Sequence, residues 1–352
     1  MTEKNDTKQL IDRLEATRNL SRDEWIRLIQ NRTADDADYL FERAQAVRTR
    51  HYGRSVYIRG LIEFTNYCKN DCFYCGIRKS NRNANRYRLT KEQILSCCEM
   101  GYALGFRTFV LQGGEDGSFT DDRLTDIISS IRTRWSDCAI TLSIGERYYE
   151  IYKQLYDAGA NRFLLRHETY DDTHYGKLHP PALSAARRKQ CLFDLKKIGY
   201  QVGTGFMVGS PYQTFENLAD DMLFLKELNP QMVGIGPFIP HHDTPFADQK
   251  AGSADLTLFL LGLIRLLLPK VLLPATTALG TIDSDGREKG ILAGANVIMP
   301  NLSPPQVREK YLLYDSKLCT GDEAAESLRS LKQRIQNIGY EITVSRGDSL
   351  NI

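Results

Sequence analysis

The sequence predicts an α/β protein folded as a (β/α)8 TIM-type barrel, with an N-terminal helical cover and a C-terminal helix. From about residue 54, apolar β-branched runs alternate with amphipathic helical runs, the pattern of βα units and a parallel sheet. Eight such units can be counted, which favours a closed barrel over an open sheet. Punctuation agrees: Gly105, Gly159 and Gly199 each follow a helical run directly, where a residue able to take positive φ closes the last turn.

Residues 1–53 read as helical. Leu10, Ile11 and Leu14 fall at helical spacing, Ser21 can cap the segment from Arg22, and 36–48 continues the pattern. The expected strands are 57–63, 108–112, 140–144, 163–167, 203–208, 232–238, 272–277 and 296–299. Helices are expected at 91–104, 122–135, 148–158, 185–198, 215–228, 256–268, 287–293 and 306–313, with a last one at 323–338. The implied organisation is a helical segment 1–53, a barrel 54–315 and a helical extension 316–352.

Composition is that of a globular protein with a large core: 42% hydrophobic, 10% aromatic and 26% charged over 352 residues. A formal net charge of +2 is far from the excess of a general nucleic-acid binder. The most apolar stretch, 256–273, is interrupted by Gly262, Arg265, Pro269 and Lys270, so it fails as a membrane span. Residues 1–9 lack the apolar core of a secretory signal, and a cytoplasmic protein is expected. Eight cysteines at irregular spacing then point to reduced thiols and ligands rather than a disulfide framework.

In such a barrel, features just after the strands share one rim, where the chemistry is done. The loop after the first strand carries Cys68, Cys72 and Cys75; Gln112-Gly113-Gly114-Glu115 follows the second; Ser143 and Glu146 follow the third; Arg166-His167-Glu168-Thr169 follows the fourth. A structural zinc site would want four ligands, and no second Cys-x-x-Cys or His pair follows. A disulfide would leave one thiol over. A [4Fe–4S] cluster normally takes four thiolates, so three in a C-x3-C-x2-C loop imply an iron with an open site.

With Tyr74 before the last cysteine, this loop resembles that of the radical S-adenosylmethionine (SAM) superfamily. The resemblance implies one [4Fe–4S] cluster whose open iron chelates the methionine part of SAM, and reductive cleavage of SAM to a 5′-deoxyadenosyl radical. Gly113-Gly114-Glu115 resembles the superfamily's glycine-rich bend; taken alone, it reads as an ordinary turn. Longer strings narrow the likeness: 164–169 (LLRHET), 234–241 (GIGPFIPH) and 294–301 (GANVIMPN) are similar to the HydE family of [FeFe]-hydrogenase maturases, from about Gly53 to Tyr314.

That resemblance implies action on a cysteine-bound Fe(CO)2(CN) unit, a small organometallic substrate made by HydG, on the way to a diiron unit assembled on HydF. It also implies a monomer reduced by a ferredoxin or flavodoxin. Carried over by motif, Tyr74, Gln112, Gly113, Gly114, Glu115, Ser143, Glu168, Arg187 and Met207 would surround SAM. Arg166, Thr276, Thr277, Met299, Tyr311 and Tyr314 would line the substrate cavity. Each has a plainer reading: Arg166 as a barrel arginine paired with Glu168, Thr276 and Thr277 as strand residues, the two tyrosines as one packed helix face, and Arg187-Arg188-Lys189 as a solvated face.

His241 and His242, with Asp243, lie between Pro240 and Pro245 and read as a structural turn. Cys319 matches the first cysteine of a second cluster found in some HydE proteins, but Ser327 and Ser330 stand about where its partners would fall, so no second cluster is expected. Cys97, Cys98, Cys138 and Cys191 read as core thiols. Methylornithine synthase and biotin synthase are the enzymatic alternatives, and a noncatalytic cluster- or zinc-binding barrel is the alternative of another class.

Overall fold

The computed structural model describes residues 6–318 and 325–351. Its first barrel strand comes in two pieces, Ser55–Ile58 and Gly60–Thr65, interrupted at Arg59. Gly60–Thr65, Thr108–Gly113, Ala139–Ser143, Arg162–Leu164, Gln201–Thr204 and Met232–Val233 form one parallel sheet in chain order. The ring closes through single bridges from Met232 to Leu272 and from Pro274 to Val297. Val297–Ile298 then pairs with the first strand, Tyr57 opposite Val297.

Alternation along the strands builds two environments. Ile62, Phe109, Leu111, Ile140, Leu142, Phe163 and Val202 are fully buried and belong to the main core. The intervening positions carry Glu63, Gln112, Ser143, Arg162 and Arg166, and register aligns the upper ones, Glu63 opposite Gln112 and Gln112 opposite Ser143.

The expected runs 203–208 and 232–238 are each split. Met207–Val208 and Gly236–Pro237 form a separate parallel pair nearer the rim. Gly205 explains the split: its φ is +154°, and the Gly234 carbonyl oxygen lies 2.0 Å from where a β-carbon would stand.

The helices follow their capping signals. Thr90 with Gln93 and Thr214 with Asn217 form capping boxes, opening Lys91–Ala103 and Phe215–Leu228. Gly105, Gly159 and Gly199 all have positive φ. The N-terminal helices Asp6–Thr17, Arg22–Gln30 and Ala34–Tyr52 lie on one flank, against Phe215–Leu228 and Ala254–Leu267.

Two expectations are corrected. The helix expected over 306–313 is only Pro305–Arg308. Beyond it, tertiary donors take the backbone carbonyls: Asn66 donates to Lys310 O at 2.7 Å, Lys317 to Tyr311 O at 3.0 Å, and Gly76 N to Leu313 O at 2.9 Å. Tyr311 and Tyr314 therefore do not share a helix face. The run 272–277 ends early, because Thr276 is the N-cap position of a short helix, Thr277–Ile282, that the sequence did not suggest. Asp172–Leu178 is another unexpected helix.

The C-terminal helix is Leu328–Asn337, after a turn of 3-10 helix, Ala325–Ser327. Cys319 lies outside the described residues, as do 323 and 324 of the expected helix. The chain then adds Glu341–Thr343 as a parallel partner of Ser55–Ile58 and crosses the barrel floor. There Arg346 O accepts from Thr108 Oγ1 at 2.8 Å, while Asp348 binds the buried Arg162 at 2.7 Å and Gln201 Nε2 at 2.9 Å.

Although burial works the other way, Arg162 holds the Asp348 carboxyl down at about 2. Leaving Arg162 buried without its anion is destabilising, but Asp348 is 34% exposed and water screens part of the effect. Asp348→Asn is expected to cost about 1–2 kcal/mol near neutral pH, read from urea midpoints. A depressed folded pKa gives stability that is complete above the unfolded value. The gap to wild type should thus hold above pH 5 and narrow as pH falls from about 4 toward 2.

Candidate active site

At the C-terminal ends of the strands, a cavity of about 310 Å³ brings Cys68, Cys72 and Cys75 together with residues from around the ring. The cysteine loop leaves the first strand at Thr65 and is pinned on three sides. Lys69 N donates to Glu115 O at 2.9 Å, Phe73 N to Leu178 O at 3.0 Å, and Gly76 N to Leu313 O. The bend Gln112–Glu115 approaches so closely that a β-carbon on Gly114 would stand 2.2 Å from Tyr67 O and 2.7 Å from the Cys68 β-carbon. Glycine is required there by space.

Burial pushes the Cys68 thiol up, Cys72 to about 12, and Cys75 higher still. Their geometry bears on what they can hold. Among the described residues, the one His/Cys/carboxylate triplet with ligand atoms all within 4.8 Å of one another is His241, His242 and Asp315. The three sulfurs are not gathered that closely, so they suit the corners of a polynuclear cluster better than a lone zinc ion.

The histidine triplet is a clasp. Its imidazoles stack with centroids 4.5 Å apart at 18°, a geometry that sends in-plane lone pairs along parallel lines rather than to one ion. His242 Nδ1 meets Asp315 at 2.6 Å, and Asp315 N donates to Pro240 O, tying this turn to the 311–318 segment.

Around the cavity, Gln112, Gly113, Gly114 and Glu115 come from the second strand, Ser143 from the third, Arg166 and Glu168 from the fourth, and Met207 from the fifth. Thr276, Tyr311 and Tyr314 close the other side, and Tyr74 lies beside the thiols. Arg166 Nη2 is 3.1 Å from Glu168 Oε2, yet the angle is wrong for a hydrogen bond. Arg166 Nε and Nη2, Glu168 Oε2 and Thr276 Oγ1 are buried without a hydrogen-bond partner. Orphaned polar atoms gathered on one cavity are what a polar occupant would satisfy.

Glu168 takes φ of +66°, a conformation uncommon outside glycine. Tyr311 is buried beside Gln112, its hydroxyl pushed up chiefly by burial.

Three expected residues are not on this cavity. Met299 packs deeper, with Tyr52, Met232, Leu272 and Val297. Thr277, the first residue of its helix, is not among the residues that line the cavity. Arg187 lies in a wider cleft of about 510 Å³ that meets the cavity at Glu115, and there its guanidinium donates to Arg147 O at 2.7 Å.

Its neighbour Arg188 lines the cavity instead, with Nε 3.1 Å from Glu146 Oε1 and burial raising the Glu146 carboxyl. The helix Ala185–Ile198 explains the difference, since one residue is a turn of about 100°. Arg188 shares the inner face with Cys191, Leu192 and Leu195, and that spacing was the signal available in the sequence. His167 faces outward, between Thr204 and Asp221, and burial holds it neutral with its pKa lowered to about 3.

Residues 62–225 match the model of the radical SAM superfamily. The [FeFe] hydrogenase maturase subunit HydE of Thermotoga maritima is 45% identical over 300 residues, 85% of each chain. The 3-methylornithine synthase of Methanosarcina acetivorans is 29% identical over 324 residues, 92% of this chain and 90% of that one. Among solved structures, methylornithine synthase (PylB) superposes with a TM-score of 0.83 at 26% identity, covering 95% and 97% of the two chains. The maturase HydG reaches 0.80 at 21% identity over 97% and 76%, a likeness of fold.

A parallel barrel with three thiols on its catalytic rim and this superfamily match define a radical SAM enzyme, whose cofactors are a [4Fe–4S] cluster and SAM. Within that class the chain belongs to the HydE family.

Proposed function

We propose that the protein matures [FeFe] hydrogenase by radical chemistry on a cysteine-bound Fe(CO)2(CN) precursor. The observation that supports this reading is one cavity carrying both the three thiols and the unsatisfied Arg166 and Thr276, in a chain 45% identical to a hydrogenase maturase subunit. In this reading Cys68, Cys72 and Cys75 hold the [4Fe–4S] cluster. When bound, the cluster and SAM supply a 5′-deoxyadenosyl radical by reductive cleavage of SAM.

The chain's own residues then bind and orient. Gly113, Gly114 and Glu115 receive the methionine amino group, and Ser143 and Glu168 the remaining methionine and ribose polar groups. Met207 supplies an apolar wall for the adenosyl side. Arg188, the arginine on the cavity, takes the methionine carboxylate. Arg166 and Thr276 offer a cation and a hydroxyl to an anionic metal complex. Tyr311 and Tyr314 close that side. HydG as supplier, HydF as acceptor, and a cytoplasmic monomer complete the proposal.

Two measurements test it. Arg188→Gln is expected to raise the Kd for SAM about tenfold or more, the loss of a charge-assisted bond, whereas Arg187→Gln changes it about twofold at most. The opposite ranking would give the carboxylate to Arg187 instead. Supplying the cysteine-bound Fe(CO)2(CN) complex with SAM and a strong reductant should yield an adenosylated iron species by mass spectrometry. Normal SAM cleavage with no such adduct would favour the methylornithine synthase reading, which the 29% identical relative supports.

A further inference from the structure

We infer that the outer face of the cysteine loop is the docking surface for an acidic one-electron carrier protein, centred on Phe73 and Tyr212 and ringed by Lys79, Lys177 and Arg82. This rests on the cluster assignment proposed above. The inner side of the loop faces the cavity, where SAM would lie, so a protein donor must approach from outside. Phe73, next to Cys72, is partly exposed and begins a chain of aromatic rings that reaches the surface at Tyr212. Phe73 packs edge-on against Phe246 at 6.2 Å, and Phe246 against Tyr212 at 6.3 Å. Tyr212 is 57% exposed, a large ring in water at a positive φ of 67°.

Cations lie against these rings or next to them in the chain. Lys177 sits over the Tyr212 ring at 5.4 Å, on the helix whose Leu178 carbonyl binds Phe73 N. Arg78 lies over Phe73 at 5.9 Å and is paired with Asp71. Its neighbour Lys79, whose backbone N binds Asn70 O, is exposed, as is Arg82 three residues on. Among the described residues Lys79, Arg82 and Lys177 make no ion pair, on a chain whose net charge is only +2. An aromatic centre with a rim of unpaired cations suits a brief, salt-sensitive encounter with an anionic partner. Electron-transfer interfaces are characteristically small, so few contacts are needed. One electron passes, oxidising the carrier and reducing the cluster by the same amount.

The test uses cluster-loaded protein and a purified, reduced bacterial flavodoxin of net negative charge. Lys79→Glu combined with Lys177→Glu should weaken flavodoxin binding, read directly as Kd, about tenfold or more at low salt, and raise the KM for flavodoxin in SAM cleavage equally. Wild-type affinity should fall as salt rises. SAM cleavage driven by dithionite should be unchanged in the variant. Lys332→Glu, a similar change on the exposed side of the C-terminal helix, should leave flavodoxin binding intact. An unaltered Kd in the double variant, or an equal loss in Lys332→Glu, would overturn the docking surface. Failure of the cluster assignment reads differently, as absence of 5′-deoxyadenosine even with dithionite.

Discussion

The contact on which the site depends is the packing of the cysteine loop against the bend at Gly113 and Gly114. A methyl group at Gly114 would overlap the loop backbone at Tyr67, and overpacking of that kind costs about 1–3 kcal/mol or shifts the chain. Because the second strand fixes the bend and the first strand launches the loop, their register, with Glu63 opposite Gln112, decides where all three thiols stand. The barrel is a rigid frame for one close approach.

A buried network seals the other side. Lys317 donates to Glu63 at 2.6 Å and to Tyr311 O, while Asn301 donates to the second Glu63 oxygen at 2.9 Å. Glu63 is fully buried, so losing Lys317 would leave a charge uncompensated and losing Asn301 would leave a carboxylate oxygen without its hydrogen bond. The network holds the 311–318 segment, with Tyr311 and Tyr314, over the cavity. The raised thiols have a related consequence. Burial keeps them neutral at pH 7, so binding of a metal must displace their protons, which couples occupancy of the site to pH.

The barrel was legible because alternation of β-branched runs with capped helices is a local signal repeated eight times over. The site was legible through the cysteine spacing and the residues just after each strand. What escaped notice was set by tertiary contact. Tyr311 and Tyr314 read as a helix face, yet Asn66, Lys317 and Gly76 draw off the carbonyls that a helix would use. The floor-crossing tail has no periodicity, and tertiary contacts with Thr108, Arg162 and Gln201 give it a place. Arg187 and Arg188 show how fine the limit is: the motif match singles out Arg187, whereas helix phase puts Arg188 on the cavity.

The central claim is that Cys68, Cys72 and Cys75 make this barrel a radical SAM catalyst. It is tested most directly by reconstituting the protein with iron and sulfide without oxygen, reducing it strongly in the presence of SAM, and quantifying 5′-deoxyadenosine. The wild-type protein is expected to form it, and Cys72→Ala to form none while failing to retain iron. Cluster-loaded wild type that leaves SAM intact, or a Cys72→Ala protein that keeps its cluster and cleaves SAM, would contradict the account.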